Sequence, residues 1–157
     1  MMLEVNIRAL TRLTHALLPG LIRSGRGAVL NVSSIAGYVP IPEMAVYAAT
    51  KAYVTSFTEA LRAEVRGTGV TITAVCPGPV NTEFGQVAQR AGEEDTMKAP
   101  SILKVKAERV VHAALNAVER QRARVVPGAL LAGVMFITSL VPIFILRHFL
   151  SAKRPKE

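Results

Sequence analysis

The run Asn31-Val32-Ser33-Ser34-Ile35-Ala36-Gly37, followed after a short connector by Tyr47-Ala48-Ala49-Thr50-Lys51, decides how the rest of the chain is read. Ala28 to Val32 is apolar, follows the basic, turn-forming Arg23-Ser24-Gly25-Arg26-Gly27, and stops at two serines, which predicts a short buried strand. Gly37 and Pro40 mark a loop beyond it. The alanine-rich segment from about Ala45 to Arg66 predicts a helix that Gly67-Thr68-Gly69 ends. On a helix, positions i and i+4 share a face, so Tyr47 and Lys51 point into one site beside the strand that ends at Ser34. Ala45, Ala48, Ala49 and Ala52 fall on or near one side of the same helix, where two backbones can approach closely.

Upstream, Leu3, Ile7, Leu10, Leu13, Leu17 and Leu18 recur at helical spacing, predicting an amphipathic helix that Pro19-Gly20 interrupts or ends. Asn6 lies within it, and an asparagine inside a helix is mildly unfavourable by propensity. Glu4, Asn6, Arg8 and Arg12 break any signal-peptide layout. Downstream, Val70-Thr71-Ile72-Thr73-Ala74-Val75 is β-branched and apolar and predicts a second buried strand, stopped by Pro77-Gly78-Pro79. Val80 to Pro100 is polar without periodicity and reads as a surface loop. Val110, Val111, Ala114, Leu115 and Val118 form the stripe of a further amphipathic helix from Ala107 to about Gln121, and Arg124 to Gly128 predicts one more short strand. Short apolar strands separated by helices belong to an α/β fold with a parallel sheet.

Composition narrows the function classes. The 157 residues are 50% hydrophobic and 19% charged, the balance of a globular chain. The net charge of +8 is spread along the sequence, and with 5% aromatic residues and no tryptophan there is no stacking platform, so no nucleic acid partner is expected. Cys76 is the only cysteine and sits in an apolar run, which predicts a buried small side chain rather than a reactive thiol. His15, His112 and His148 lack metal-ligand spacing, and no metal site is expected. The expected location is the cytoplasm or the cytoplasmic face of a membrane.

Val125 to Leu146 carry no charged side chain, and the segment after Leu146 is basic, with Arg147, Lys153, Arg154 and Lys156. If residues 125–128 are strand, the remaining apolar helix is borderline for a bilayer span, with Pro142 inside it. Three readings fit: a membrane-spanning helix, a helix lying on a membrane or capping an apolar substrate entrance, or packing against a partner. Membrane contact through 129–150 is thus one expectation. The division expected is a domain over 1–128 and an apolar helix with a basic tail over 129–157.

A tyrosine with an ordinary pKa of about 10 is a poor proton donor near neutrality, and an ammonium one turn away favours its ionised form. A serine hydroxyl beside it can hydrogen-bond a carbonyl or alcohol oxygen. Ser34, Tyr47 and Lys51 therefore suit proton transfer to or from a substrate oxygen. With Ser34 thirteen positions before Tyr47, the Asn31 to Gly37 strand end, and Pro77-Gly78-Pro79-Val80-Asn81-Thr82 downstream, the chain resembles the short-chain dehydrogenase/reductase family over roughly residues 1 to 128.

That resemblance implies a doubly wound, Rossmann-like sheet and an oxidoreductase using NADP or NAD on a small-molecule carbonyl or secondary alcohol. It implies Tyr47 as general acid/base, Lys51 as the group that lowers its pKa and holds the nicotinamide ribose, and Ser34 as the group orienting the substrate oxygen. Asn6 matches the family asparagine that supports a water-linked proton relay to the lysine. Pro77, Gly78, Val80 and Thr82 are implied to border the nicotinamide, with Val80 and Thr82 at its carboxamide. Helices at 2–18 and 45–66 are implied as a homo-oligomer surface.

The chain has no G-x-x-x-G-x-G run, no Asn-Asn-Ala-Gly run and three candidate strands, so it resembles the C-terminal half of such an enzyme. The expected fold is a partial doubly wound sheet lacking its N-terminal strands, with a C-terminal apolar helix. Little activity is expected without a pyrophosphate site. The alternative expectation is a non-catalytic remnant serving as an oligomerisation or membrane-attached module.

Overall fold

A computed structural model of the chain describes residues 1–80, 105–142 and 144–146. The order of elements is a π-helical turn over Glu4–Ala9, α1 (Leu10–Ser24), β1 (Gly27–Val32), a 3-10 turn over Ile35–Tyr38, α2 (Ala45–Glu64), β2 (Val70–Val75), α3 (Ala107–Glu119), β3 (Arg124–Val125) and α4 (Ala129–Leu140). The three strands form one parallel sheet in the order β1-β2-β3. This is the α/β architecture read from the sequence.

Pairing along the sheet is unequal. β1 matches β2 over its full length, from Gly27 opposite Val70 to Val32 opposite Val75, whereas β3 adds only Arg124 opposite Ala74 and Val125 opposite Val75. Beside the short β3, side chains tie β2 and α2 to the turn that precedes it. Arg62 donates from one guanidinium nitrogen to the Ile72 carbonyl at 3.1 Å and from the other to the Gln121 carbonyl, and Thr73 donates its hydroxyl to the Arg122 carbonyl at 2.8 Å. A buried strand carbonyl without a partner is costly, which is the reason for this clamp.

Alternation along the strands places Val29, Val70 and Ile72 toward α1 and α2, where Leu61, Val65 and Ile72 form a core with Leu18 and Phe57 against it. α2 is also tied by polar pairs. The Asn31 amide donates to the Thr58 hydroxyl at 3.0 Å, and Thr58 donates in turn to the Val54 carbonyl. Thr11 and Tyr53 hydroxyls meet at 2.8 Å between α1 and α2. Of the alanines on α2, Ala48 is buried while Ala45, Ala49 and Ala52 are exposed.

Two expectations need correction. Pro19 does not end the first helix: α1 runs through it to Ser24 and closes at Gly25, whose φ of 66° is the left-handed conformation glycine adopts freely. Pro19 and His15, whose carbonyl loses its N–H partner, are both exposed residues, on the side of the helix where water can take that partner's place. The apolar run after β3 is not one continuous helix: α4 stops at Leu140, and Val141, the residue before Pro142, is extended. Among the described residues no helix is long and apolar enough to cross a membrane. Leu3, Leu13 and Leu17 of the first stripe are more than half exposed.

Candidate active site

The site is assembled at the C-terminal ends of β1 and β2. The Ser33 N–H continues the ladder by donating to the Val75 carbonyl at 2.8 Å, and the Ile35 N–H donates to the Pro77 carbonyl at 3.0 Å, so the two strand ends leave the sheet side by side. Ser34, buried and extended, caps the 3-10 turn: its hydroxyl oxygen accepts from the Ala36 N–H at 3.1 Å and lies 3.5 Å from the Pro77 carbonyl oxygen. The turn then runs directly onto α2. A side chain at Gly37 would meet the backbone of Lys51 and Ala52 at 2.7 to 2.8 Å, so only glycine allows this approach.

Tyr47 and Lys51 lie within the first two turns of α2. The Lys51 ammonium is 5.8 Å from the centre of the Tyr47 ring, within cation–π range, and donates to the Val32 carbonyl at 3.1 Å at the end of β1. Burial lowers the Lys51 pKa from its ordinary value, with a smaller opposing contribution from Cys76. The backbone of the same residue is also held: its carbonyl accepts from Ser33 Oγ at 2.8 Å and from Thr55 Oγ1 at 3.1 Å. Lys51 is therefore anchored to the strand end through both its ammonium and its main chain.

Asn6 sits in the π-helical turn and reaches this helix from the other side. Its amide donates to Thr50 Oγ1 at 3.0 Å, and Thr50 donates to the Tyr47 carbonyl at 2.8 Å. Asn6 is thus linked to Tyr47 through Thr50, Lys51 lies over the Tyr47 ring, and Ser34 sits at the strand end to which Lys51 is tied. Of the other expected residues, Pro77 meets the Ser34–Ile35 strand end through its carbonyl, Gly78 lies against Leu131 of α4 and Ile35, and Val80 forms a parallel bridge with Val105. Thr82 and His148 lie outside the described residues.

Sequence reasoning missed Ser33, Thr50, Thr55 and Gly37. A signal was present for the first two, since Ser33 adjoins Ser34 and Thr50 lies between Tyr47 and Lys51. Cys76 is fully buried and its pKa is raised by burial, in keeping with an inert thiol. Beside it the Tyr38 phenol is pushed up to about 12, chiefly by burial, while the Arg124 guanidinium stacks on its ring at 5.2 Å.

Comparison with known proteins places this geometry. Residues 1–93 match the short chain dehydrogenase family model. Sulfoacetaldehyde reductase 2 of Chromohalobacter salexigens is 49% identical over 84 residues, covering 53% of this chain and 33% of that protein. The very-long-chain 3-oxoacyl-CoA reductase of Rattus norvegicus is 30% identical over 120 residues, covering 76% of this chain and 35% of that protein. A short chain dehydrogenase from Burkholderia cenocepacia, solved in complex with NADP, aligns with a TM-score of 0.74 at 30% identity over 92% of this chain and 57% of its own. The chain therefore spans about a third of the length of these curated relatives. With a family match over more than half its residues, a parallel sheet of the same architecture and the Tyr47–Lys51 turn set against the strand end that carries Ser34, this chain belongs to the short-chain dehydrogenase family.

Proposed function

We propose that this chain carries the proton-transfer half of an oxidoreductase that interconverts a carbonyl and a secondary alcohol with a nicotinamide cofactor. The observation that carries this reading is the anchoring of Lys51 to the end of β1 with its ammonium over the Tyr47 ring. Tyr47 gives its phenolic proton to the substrate oxygen in reduction and takes it back in oxidation. Ser34 orients that oxygen, and Lys51 supplies positive charge beside the phenol. Asn6 holds the turn that bears both.

The donor set suits the nicotinamide–ribose end of NADP or NAD: in this reading Lys51 and Tyr47 hold the ribose and Pro77, Gly78 and Val80 line the ring, with Thr82 assigned there by the family resemblance alone. The chemistry that group supplies when bound is the hydride. Support comes from a solved relative in complex with NADP. Residues 1–128 form the catalytic part in this reading, and the segment beyond them serves the substrate. An apolar substrate is favoured because α4 begins over Gly78 and leaves Leu130, Phe136 and Ile137 more than 60% exposed, and because one relative is a very-long-chain 3-oxoacyl-CoA reductase.

The test presents the protein with NADPH or NADH and a panel of aldehydes and ketones of increasing chain length. At cofactor concentrations high enough to offset the missing pyrophosphate site, low turnover that rises with chain length and disappears in Tyr47→Phe is expected. Turnover that survives Tyr47→Phe would overturn the assignment of the proton donor, and none with any substrate would overturn the oxidoreductase reading. Self-association through the exposed Leu13 and Leu17 of α1 and Val46 of α2 belongs to the same proposal. A purely monomeric species in sedimentation velocity at high concentration would remove it.

A further inference from the structure

Three threonines on α2 use their hydroxyls in the same way, each donating to a carbonyl three or four residues back in its own helix: Thr50 to Tyr47, Thr55 to Lys51 and Thr58 to Val54. Two of these, Thr50 and Thr58, are fully buried and also accept a hydrogen bond from an asparagine amide at 3.0 Å, Asn6 in one case and Asn31 in the other. The two Asn–Thr–carbonyl relays are chemically alike and differ in where they act. The Thr58 relay joins the middle of α2 to β1, whereas the Thr50 relay ends on the carbonyl of Tyr47 and lies one residue before Lys51.

We propose that Thr50 is a positioning residue, and that Asn6 acts on the catalytic turn through the Thr50 hydroxyl. The inference rests on the proton-transfer reading of Tyr47 and Lys51. Asn6 belongs to a π-helical turn, in which the backbone closes over one residue more than in an α-helix, and such turns are rare and concentrate at functional sites. The Thr50 hydroxyl is a two-sided connector: its proton goes to the Tyr47 carbonyl and its lone pair takes the Asn6 amide. Breaking it releases the start of α2 from the π-helical turn while leaving Lys51 tied to Val32, Ser33 and Thr55. The phenol then moves relative to a fixed ammonium. A misplacement of about 1 Å at a reacting group costs up to about a hundredfold in rate.

The experiment compares Thr50→Val, Thr50→Ser, Asn6→Ala and the Asn6→Ala/Thr50→Val double variant with Thr58→Val, which removes the equivalent relay away from the site. Turnover number and Michaelis constant are measured, together with the ring signals of the protein labelled with carbon-13 at the tyrosine hydroxyl-bearing carbon. Tyr38, Tyr47 and Tyr53 are the three tyrosines, which makes the signals assignable. We expect Thr50→Val to lower the turnover number at least about tenfold with little change in Michaelis constant and to displace or broaden the Tyr47 signal. Thr50→Ser restores both, Thr58→Val leaves both unchanged, and the double variant is no worse than Thr50→Val alone.

Thr50→Val matching Thr58→Val in both readouts would overturn the proposal, as would losses from Asn6→Ala and Thr50→Val that multiply. Should Thr50→Val not fold, Asn6→Ala against Thr58→Val carries the same decision. If the wild-type protein reduces no carbonyl, the oxidoreductase reading fails, and the Tyr47 signal still decides whether Thr50 positions that turn.

Discussion

The first two turns of α2 and the whole of α4 are both built from small and apolar residues near the C-terminal ends of strands, yet they are held in opposite ways. In α2, the groups that fix the Tyr47–Lys51 turn come from far along the chain: Asn6 from the π-helical turn, and Val32 and Ser33 from the end of β1. In α4 the polar side chains turn back on their own helix, Thr138 donating to the Val134 carbonyl and Ser139 to the Phe136 carbonyl, and one residue, Leu131, is buried. The turn that bears the proposed proton donor is held by directional bonds. A helix that offers apolar surface needs an anchor and little else.

The sharpest way to test this contrast is to remove the phenolic oxygen. Tyr47→Phe is expected to reduce turnover by roughly 10² to 10⁴-fold while leaving the denaturation midpoint nearly unchanged, as judged by paired steady-state kinetics and urea unfolding. A large loss of stability in that variant would mean that the phenol serves the fold first.

Gly37→Ala comes next. Its methyl group would press on the main chain at Lys51, so we expect a cost of about 1–3 kcal/mol in unfolding free energy together with a fall in turnover. Within α4, by contrast, the anchor and the face should separate. Leu131→Ala is expected to cost about 2–3 kcal/mol, and Ile137→Ser, at 65% exposure, to stay within about 0.5 kcal/mol while weakening turnover of long-chain substrates. Equal costs at the two positions would show that the exposed face of α4 is covered in solution.

The smallest expected effect lies at alkaline pH. The Tyr38 phenol ionises near 10 in the unfolded chain and near about 12 in the folded one, because burial disfavours the phenolate. The folded state then retains a proton that the unfolded state has lost, so the Tyr38 contribution is whole below pH 10 and is lost as pH rises through 12. Lys51, lowered by burial, acts in the opposite direction, and its change is complete above its unfolded value of 10.5. Between that point and pH 12, unfolding titrations of Tyr38→Phe should show a shallower decline than wild type. Parallel declines would remove Tyr38 as the source.

β1, α2 and β2 were legible because each is a short run of one character bounded by glycine or proline, and their ends fall within two or three residues of the expected places. Ser34, Tyr47 and Lys51 were legible because spacing along a strand and a helix already dictates which way side chains point. The helix through Pro19 was not legible, since the cost of the lost hydrogen bond depends on whether that carbonyl faces water. The same holds for α4: absence of charge announces apolar surface but not where Val141 turns the chain.

What the amino-acid order determined by itself is local: where chain segments extend or coil, that Tyr47 and Lys51 share a helix face, and that serines end the strand before them. What only the tertiary structure decided is which distant groups close the remaining hydrogen bonds. Asn6 meets Thr50 across 44 residues and Lys51 meets Val32 across 19, and no periodicity encodes such meetings, because they depend on how helices and strands pack once formed. Those bonds turn a pattern of residue types into a positioned site.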